Sequence, residues 1–161
     1  MKKLIFMFSF LFLSLFSLNT FAVSQTRDVF VQTAHEATVT KSAEPHTYQL
    51  SLKNIQNYTT YFSDRPSRTS NIMTLDSFLN LWNKGNSGFA KDAPNASISG
   101  VSNNKMVNFP AELTKPSYDS ASKTLTYVIH PLEGKESNIP SGLHLSDVSL
   151  FIDPLCLSCL G

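Results

Sequence analysis

The chain has 161 residues, and its 13 Lys and Arg against 12 Asp and Glu give a formal net charge of +1. A charge this close to zero produces no long-range attraction to nucleic acid or to an anionic membrane surface. The only arginines are Arg27, Arg65 and Arg68, and no basic run occurs. We therefore expect no nucleic-acid partner.

Residues 1–22 have the pattern of a cleaved secretory signal peptide. Lys2 and Lys3 precede an apolar run from Leu4 to Leu18, and Thr20 to Ala22 supplies small residues where a signal peptidase needs them. A membrane-spanning helix needs about 20 apolar residues, and this run is shorter. We therefore predict an exported chain that starts at Val23, is periplasmic or secreted, and has no stable membrane insertion after cleavage.

Strand patterns dominate residues 23–153, which we interpret as a single β-rich domain. The clearest is Thr47 to Lys53, where apolar and polar residues alternate as a half-buried strand requires. Asn103-Asn104 suits a two-residue hairpin turn because asparagine tolerates a positive φ, and a second hairpin is expected around Asp119 to Lys123. The predicted strands comprise residues 36–40, 47–53, 57–62, 96–102, 105–109, 124–129 and 148–152.

Short strands at this spacing predict a mainly β fold, an antiparallel β-sandwich or small barrel with one short amphipathic helix. The helix is expected from Thr74 to Lys84, with Thr74 as its N-cap, Asp76 complementing its dipole and Gly85 ending it. Its apolar stripe, interpreted as core packing against one end of the sheet, comprises Leu75, Phe78, Leu79 and Trp82. The aromatic residues expected in the core are Tyr48, Tyr61, Phe62, Phe78, Trp82, Phe89 and Tyr127.

Several short motifs follow one another in the domain: Tyr-Phe-Ser-Asp-Arg-Pro, a helix end with Trp-x-x-Gly, an Asp-x-Pro-Asn-Ala turn and a C-terminal Leu-Phe-Ile-Asp strand. Over residues 36–153 this order resembles a family of uncharacterised exported bacterial proteins, and the resemblance implies an architecture but no activity. Gly88 stands where the family pattern has Ser, and Ala93 where it has Pro. The motif residues, interpreted as structural, include Tyr61, Phe62, Pro66, Trp82, Gly85, Phe89, Asp92, Pro94 and Asn95.

Asp64, Arg65 and Arg68 are the candidate ligand-binding residues, because two of the three arginines fall in one turn after a predicted strand. In one interpretation the two guanidinium groups meet an anionic partner, such as a carboxylate or a phosphorylated glycan. In the other, Asp64 caps backbone amides and Arg65 pairs with Asp92. The Asp-Arg-Pro composition is typical of a turn, which favours the structural interpretation.

Cys156 and Cys159 lie in the segment 154–161, which we interpret as a C-terminal tail. Export to an oxidising compartment favours a local disulfide between them. A thioredoxin-like role would need the pair at the start of a helix, where the helix dipole lowers a thiol pKa. We therefore predict a tail disulfide or an unstructured end in preference to a redox site.

The remaining candidate chemistry is sparse, which determines the functional prediction. The histidines show no metal-ligand spacing, and there is no Gly-x-Ser-x-Gly nucleophile motif or Gly-rich phosphate loop. We predict no catalytic residue, metal or cofactor. The sequence favours an exported non-enzymatic binding or structural module of the bacterial envelope or extracellular space, without indicating its ligand or partner. The alternative is a small envelope hydrolase or metal-binding protein that uses scattered His, Asp and Glu.

Overall fold

Eight antiparallel strands form one sheet in the computed structural model, which describes residues 28–63, 67–85, 88–132, 139–140 and 142–154. The strands are β1 (Asp28–Lys41), β2 (Tyr48–Lys53), β3 (Tyr58–Ser63), β4 (Ser70–Thr74), β5 (Asn95–Ser102), β6 (Lys105–Asp119), β7 (Thr124–Pro131) and β8 (Leu143–Asp153). The prediction of a mainly β, antiparallel fold with one short helix is confirmed.

Six of the strands close into a ring, in the order β1-β2-β7-β6-β5-β8 and back to β1. Strand β1 closes it because both of its edges are paired. One edge meets β8 between Phe30 and Val39, and the other meets β2 between Glu36 and Lys41. The closed ring corresponds to the small-barrel form of the prediction.

The start of β1 pairs with a second, separate hairpin. Residues Asp28 to Val31 meet β3, and β3 in turn pairs with β4. The edge of β1 therefore forks, with β3 at its start and β2 at its end. Strand β4 was not predicted, because Ile72 and Met73 stand side by side in its sequence and Ile72 is 68% exposed. A strand that buries neither face completely has no alternating pattern to detect.

Helix α1 (Leu75–Leu79) follows β4 directly and continues as a 3₁₀ helix (Asn80–Asn83). The predicted cap is confirmed: Thr74 Oγ1 accepts a hydrogen bond from the Ser77 backbone N–H at 3.2 Å. Gly85 has a φ of +62°, the conformation expected after a helix end. The tighter last turn brings Leu81 as well as Trp82 into the core.

The core combines inward-facing strand residues with aromatic side chains from the helix. Trp82 packs edge-on against Phe89, with ring centroids 4.9 Å apart at 87°, and Phe78 packs against Phe30 at 5.3 Å. Trp82 also lies 5.9 Å from the ring of Tyr127 on β7. Such edge-to-face pairs stabilise a core beyond the area that they bury. The helix is thereby fixed to the interior of the ring.

Phe62 is the exception among the predicted core aromatics, because it is 38% exposed. Successive side chains of a strand point to opposite faces, and Tyr61 takes the inner face, 5.9 Å from Phe30. Phe30 occupies the core in its place, with 1% exposure. It was missed because the first predicted strand began only at Glu36.

Three buried polar side chains connect separate strands inside the ring. Gln32 of β1 donates from Nε2 to Thr59 Oγ1 of β3 at 3.1 Å, and Tyr127 of β7 donates its hydroxyl to Gln32 Oε1 at 2.9 Å. Each of the three residues is at most 1% exposed. Burial raises the pKa of Tyr127 far above its usual value, so the phenol stays protonated as a donor.

Both predicted hairpins are confirmed. Asn103 and Asn104 have φ values of +49° and +60°, as the two central residues of a type I′ turn require. At the β6–β7 turn, the Asp119 carboxylate accepts hydrogen bonds from the Ser122 hydroxyl and the Ala121 backbone N–H. These hydrogen bonds lower the pKa of Asp119. The short polar side chain thus stabilises its own turn.

Tyr127→Phe should destabilise the protein, because it leaves Gln32 Oε1 buried without its donor. An unsatisfied buried acceptor costs about 1–3 kcal/mol, and each kcal/mol lowers the melting temperature of a domain of this size by about 4 °C. Thermal unfolding followed by circular dichroism measures the change. The control is Tyr58→Phe, the same substitution at a side chain that is 44% exposed. Equal melting temperatures for the two variants would contradict the account.

The same variant should also change how the free energy of unfolding depends on pH in alkaline solution. Above about pH 10 an exposed tyrosine loses its proton, whereas the buried Tyr127 keeps it. The unfolded chain then binds fewer protons than the folded chain, so stability falls as pH rises. Above pH 10, we expect the free energy of unfolding to fall less steeply with pH in Tyr127→Phe than in the wild type. The difference between the two slopes should correspond to about one proton per molecule.

Candidate functional site

A groove of about 510 Å³ lies between the 3₁₀ helix and strands β6 and β7. This volume is within the range of about 300–1,000 Å³ that is typical of small-molecule sites. Its walls combine apolar and polar side chains. The apolar ones are Leu79, Trp82, Phe89, Ala90 and Pro116, and the polar ones are Asn80, Asn83, Thr114, Lys115 and His130.

The first wall follows from the way the chain turns back after the 3₁₀ helix. The Phe89 backbone N–H donates to Leu81 C=O at 3.0 Å, which holds Phe89 against Trp82. This return passes very close to the helix: a Cβ at Gly88 would lie 2.8 Å from Lys84 N and 2.9 Å from Trp82 C=O. A residue with a Cβ fits at this position only if the neighbouring backbone shifts.

The second wall contains a β-bulge in β6. The β6–β7 register shifts between Thr114 and Ser117, and Lys115 within the bulge has a φ of +48°. A bulge redirects side chains and interrupts strand pairing, and bulges are frequent beside functional sites. Thr114 Oγ1 ties the bulge to β7 by donating to Val128 C=O at 3.0 Å. Pro116 is tolerated here because a bulge leaves one residue out of the ladder.

The electrostatics of the groove favour a negative charge. Among the described lining residues, Lys115 is exposed and is the one Lys or Arg, and none is Asp or Glu. Asn80 and Asn83 can both donate and accept hydrogen bonds, and Thr114, which donates its hydroxyl proton to Val128 C=O, can accept one. The arrangement can therefore hold an anionic group at Lys115 and an apolar group at the opposite wall.

Trp82 has an unusual feature at the base of this groove. Its indole N–H is buried, and among the described residues it has no hydrogen-bond partner. Buried donors are nearly always paired in native proteins, so an unpaired one calls for an explanation. It is the single buried side-chain donor or acceptor in the described part of the chain with this property.

The structure describes some of the predicted site residues and not others. Asp64, Arg65 and Pro66 lie outside the described residues, so the capping of backbone amides by Asp64 and the pairing of Arg65 with Asp92 stay predictions. Arg68 is exposed, with a φ of +48°, just before β4, and Asp92 is exposed ahead of β5. Neither of these two lines the groove. The proposed tail disulfide of Cys156 and Cys159 and the signal peptide, residues 1–22, also lie outside the described part.

Four of the described motif residues lie at the groove or in the core: Tyr61, Trp82, Phe89 and Pro94. Trp82 and Phe89 form one wall, and Tyr61 packs against the core. Pro94 is buried, and its C=O accepts a hydrogen bond from the Leu113 backbone N–H at 2.9 Å. Asn95 then begins β5. Their interpretation as structural residues stays a prediction.

Sequence reasoning missed the polar half of the groove. Asn80, Asn83, Thr114, Lys115 and His130 come from three elements that are far apart in the chain, so no local spacing could have marked them. His130 was considered only as a metal ligand. The one local signal was the Lys-Pro pair inside a β-rich segment, which a bulge can explain.

Within the described ranges, no group of three or more His, Cys, Asp and Glu is placed to hold a metal ion. No helix in that part of the chain is long and apolar enough to cross a membrane. No protein-family model, curated protein or solved structure matches this chain.

Gly88→Ala should destabilise the wall that carries Trp82, since the new Cβ would overlap backbone atoms of the helix end. Overpacking of this kind costs about 1–3 kcal/mol. Trp82 is the single tryptophan of the chain, so its fluorescence reports both the unfolding transition and any shift of the wall. The control is Ala90→Ser, an exposed neighbour that gains one atom. A Gly88→Ala variant with the stability and emission of the wild type would contradict the close approach.

Proposed function

We propose that this protein is an exported, non-enzymatic binding module that holds a small anionic ligand in the groove between the 3₁₀ helix and strands β6 and β7. The observation that carries the proposal is the mixed lining of the groove. Trp82 and Phe89 on the helix side and Pro116 in the bulge supply apolar surface, and Lys115 supplies one positive charge among neutral polar groups. A mainly apolar site with a few placed polar groups is the usual form of a small-molecule pocket.

The walls define the class of ligand. An apolar or aromatic ring suits the side formed by Leu79, Phe89 and Pro116. A carboxylate or phosphate suits the ammonium group of Lys115, since charge-assisted hydrogen bonds are stronger than neutral ones. The amide side chains of Asn80 and Asn83 add neutral hydrogen bonds that orient the ligand. We therefore expect a ring-bearing carboxylate or phosphate.

Trp82 supplies a second reason for a ligand at this place. Among the described residues its indole N–H has no hydrogen-bond partner, and a buried donor left without one costs about 1–3 kcal/mol. A small movement of the groove wall that let a ligand oxygen reach this N–H would remove the penalty on binding. The hydrogen bond from the Trp82 indole N–H to the ligand would then contribute to the affinity.

The predicted export and the lack of paired catalytic groups among the described lining residues support a binding role. Among the described lining residues, His130 and Lys115 are the titratable ones, and neither a carboxylate nor a thiol accompanies them. A general acid–base mechanism or an activated nucleophile would need a positioned partner of that kind. The signal-peptide pattern of residues 1–22 supports a role outside the cytoplasm.

The test is a titration followed by Trp82 fluorescence, with a panel of aromatic carboxylates and sugar phosphates and their neutral analogues. We expect saturable changes with the anions, weaker binding of the neutral analogues, and loss of affinity at high salt. Lys115→Ala should weaken binding of the anions by about tenfold, which corresponds to one charge-assisted hydrogen bond.

A matched control exists for this substitution. Lys123 is also an exposed lysine with a positive φ, +50° against +48° for Lys115, but it lies at the β6–β7 turn and does not line the groove. Lys123→Ala should leave the affinity unchanged. The proposal fails if no member of the panel gives a saturable change, or if the two lysine variants bind equally well.

A further inference from the structure

We infer that the groove binds the C-terminal end of an extended peptide whose last residue is aromatic. The inference rests on the ligand-binding proposal above and names the class of ligand. It starts from the position of two asparagines. Asn80 and Asn83 are the first and last residues of the 3₁₀ helix, and both line the groove. Both side chains are exposed, so neither is needed to fill the core.

The geometry of the 3₁₀ helix places these two side chains in line. A 3₁₀ helix has about three residues per turn and rises about 2.0 Å per residue, so side chains three positions apart lie on one face. Asn80 and Asn83 therefore share the face toward the groove, roughly 6 Å apart along the helix axis. The residues between them, Leu81 and Trp82, are buried. The helix thus presents two identical carboxamides to the groove at a fixed spacing.

An extended peptide carries complementary groups at nearly the same spacing. In such a chain the N–H and C=O of one residue point to the same side, and those of the next residue point to the other side. The chain rises about 3.3 Å per residue, so groups on one side repeat every roughly 6.6 Å. A carboxamide can accept from the N–H and donate to the C=O of one residue. Asn80 and Asn83 can therefore bond to two alternate residues of one peptide.

The bulge in β6 indicates which end of the peptide binds. Lys115 and Pro116 are consecutive residues, and both line the groove. The anionic group and the apolar group of the ligand must therefore lie close together. A C-terminal residue meets this condition, because its carboxylate and its side chain share one Cα. The carboxylate pairs with the Lys115 ammonium group, and the aromatic side chain contacts Pro116 and Phe89.

The charge and the exposure of the described lining residues suit a peptide as well. None of these residues is Asp or Glu, so none repels a C-terminal carboxylate. Asn80, Asn83 and Ala90 are exposed, so the groove is open to solvent along the helix. The rest of a longer peptide can therefore continue out of the groove without displacing the core.

The experiment is a titration followed by Trp82 fluorescence with two probes, acetyl-Ala-Ala-Ala-Phe and acetyl-phenylalanine, each with a free carboxylate. We expect the tetrapeptide to bind at least about tenfold more tightly, because it is long enough to bond to both asparagines. Conversion of its C-terminal carboxylate to an amide should weaken binding by about tenfold. Lys115→Ala should abolish the difference between the acid and the amide.

Ester substitution in the tetrapeptide tests the extended conformation. An ester oxygen in place of one main-chain N–H removes a hydrogen-bond donor without adding bulk. We expect the affinity to fall by about tenfold at two alternate residues and to change less than about twofold at the residues between them. The reason is that only every second residue of an extended chain faces the helix.

Two variants of the protein test the asparagines. Asn80→Ala and Asn83→Ala should each reduce the advantage of the tetrapeptide over acetyl-phenylalanine. Both side chains are exposed, so circular dichroism should stay native. The control is Asn71→Ala, because Asn71 is also exposed but lies on β4 and does not line the groove. This control should leave the affinity of both probes unchanged.

Three results would overturn the inference. The first is a tetrapeptide that binds no more tightly than acetyl-phenylalanine, which would leave the ligand-binding proposal standing. The second is an equal effect of ester substitution at neighbouring residues, which would contradict the extended conformation. The third is a lack of saturable binding by both probes. In that case the anion panel described above decides separately whether the groove binds any ligand.

Discussion

The buried side chain of Gln32 is the constraint on which the arrangement of this protein depends. It lies on β1 just where the edge of that strand changes from pairing with β3 to pairing with β2. An amide buried without partners costs several kcal/mol, so Gln32 is tolerated only when Thr59 and Tyr127 are both in place. Those partners lie on β3 and β7. One side chain thus links the closed ring to the hairpin attached at the fork.

The position of the β3–β4 hairpin determines the position of the helical segment that follows it in the chain. Strand β4 leads without a linker into α1, because Thr74 both ends the strand and caps the helix. The 3₁₀ helix then places Trp82 against Tyr127, the same residue that bonds to Gln32. The groove therefore depends on the position of this short segment.

The sequence was sufficient where a local pattern has a direct physical cause. Alternation identified β2 and β7, asparagine tolerance of positive φ identified the turn at Asn103-Asn104, and capping with 3.6-residue periodicity identified the helix. It failed where the cause is not local. Gln32 stands among Val31, Thr33 and Ala34, and nothing in that segment shows that a glutamine faces inward. Its burial depends on hydroxyl groups that the fold supplies from elsewhere.

The candidate site could also be predicted only in part from the sequence. Its apolar wall could be approached from the sequence, because Trp82 and Phe89 stand out in short motifs, although both were interpreted only as core residues. Its polar wall depends on a bulge at Lys115 and on the approach of β7, and these are properties of the sheet register. The resemblance to a family of exported proteins implied the architecture and left the chemistry open. The assignment of a ligand class therefore rests on geometry and charge.

Native-state hydrogen exchange on Gln32→Leu would test the role of Gln32 most directly. If Gln32 fixes the hairpin to the ring, amides in β3 and β4, including that of Ser63, and the Leu75 amide that bonds to Asn57 just after β4 should lose much more protection than amides in the β5–β6 ladder. The ring amides serve as the internal reference. An equal loss of protection in all strands, or no loss in the hairpin, would contradict the account.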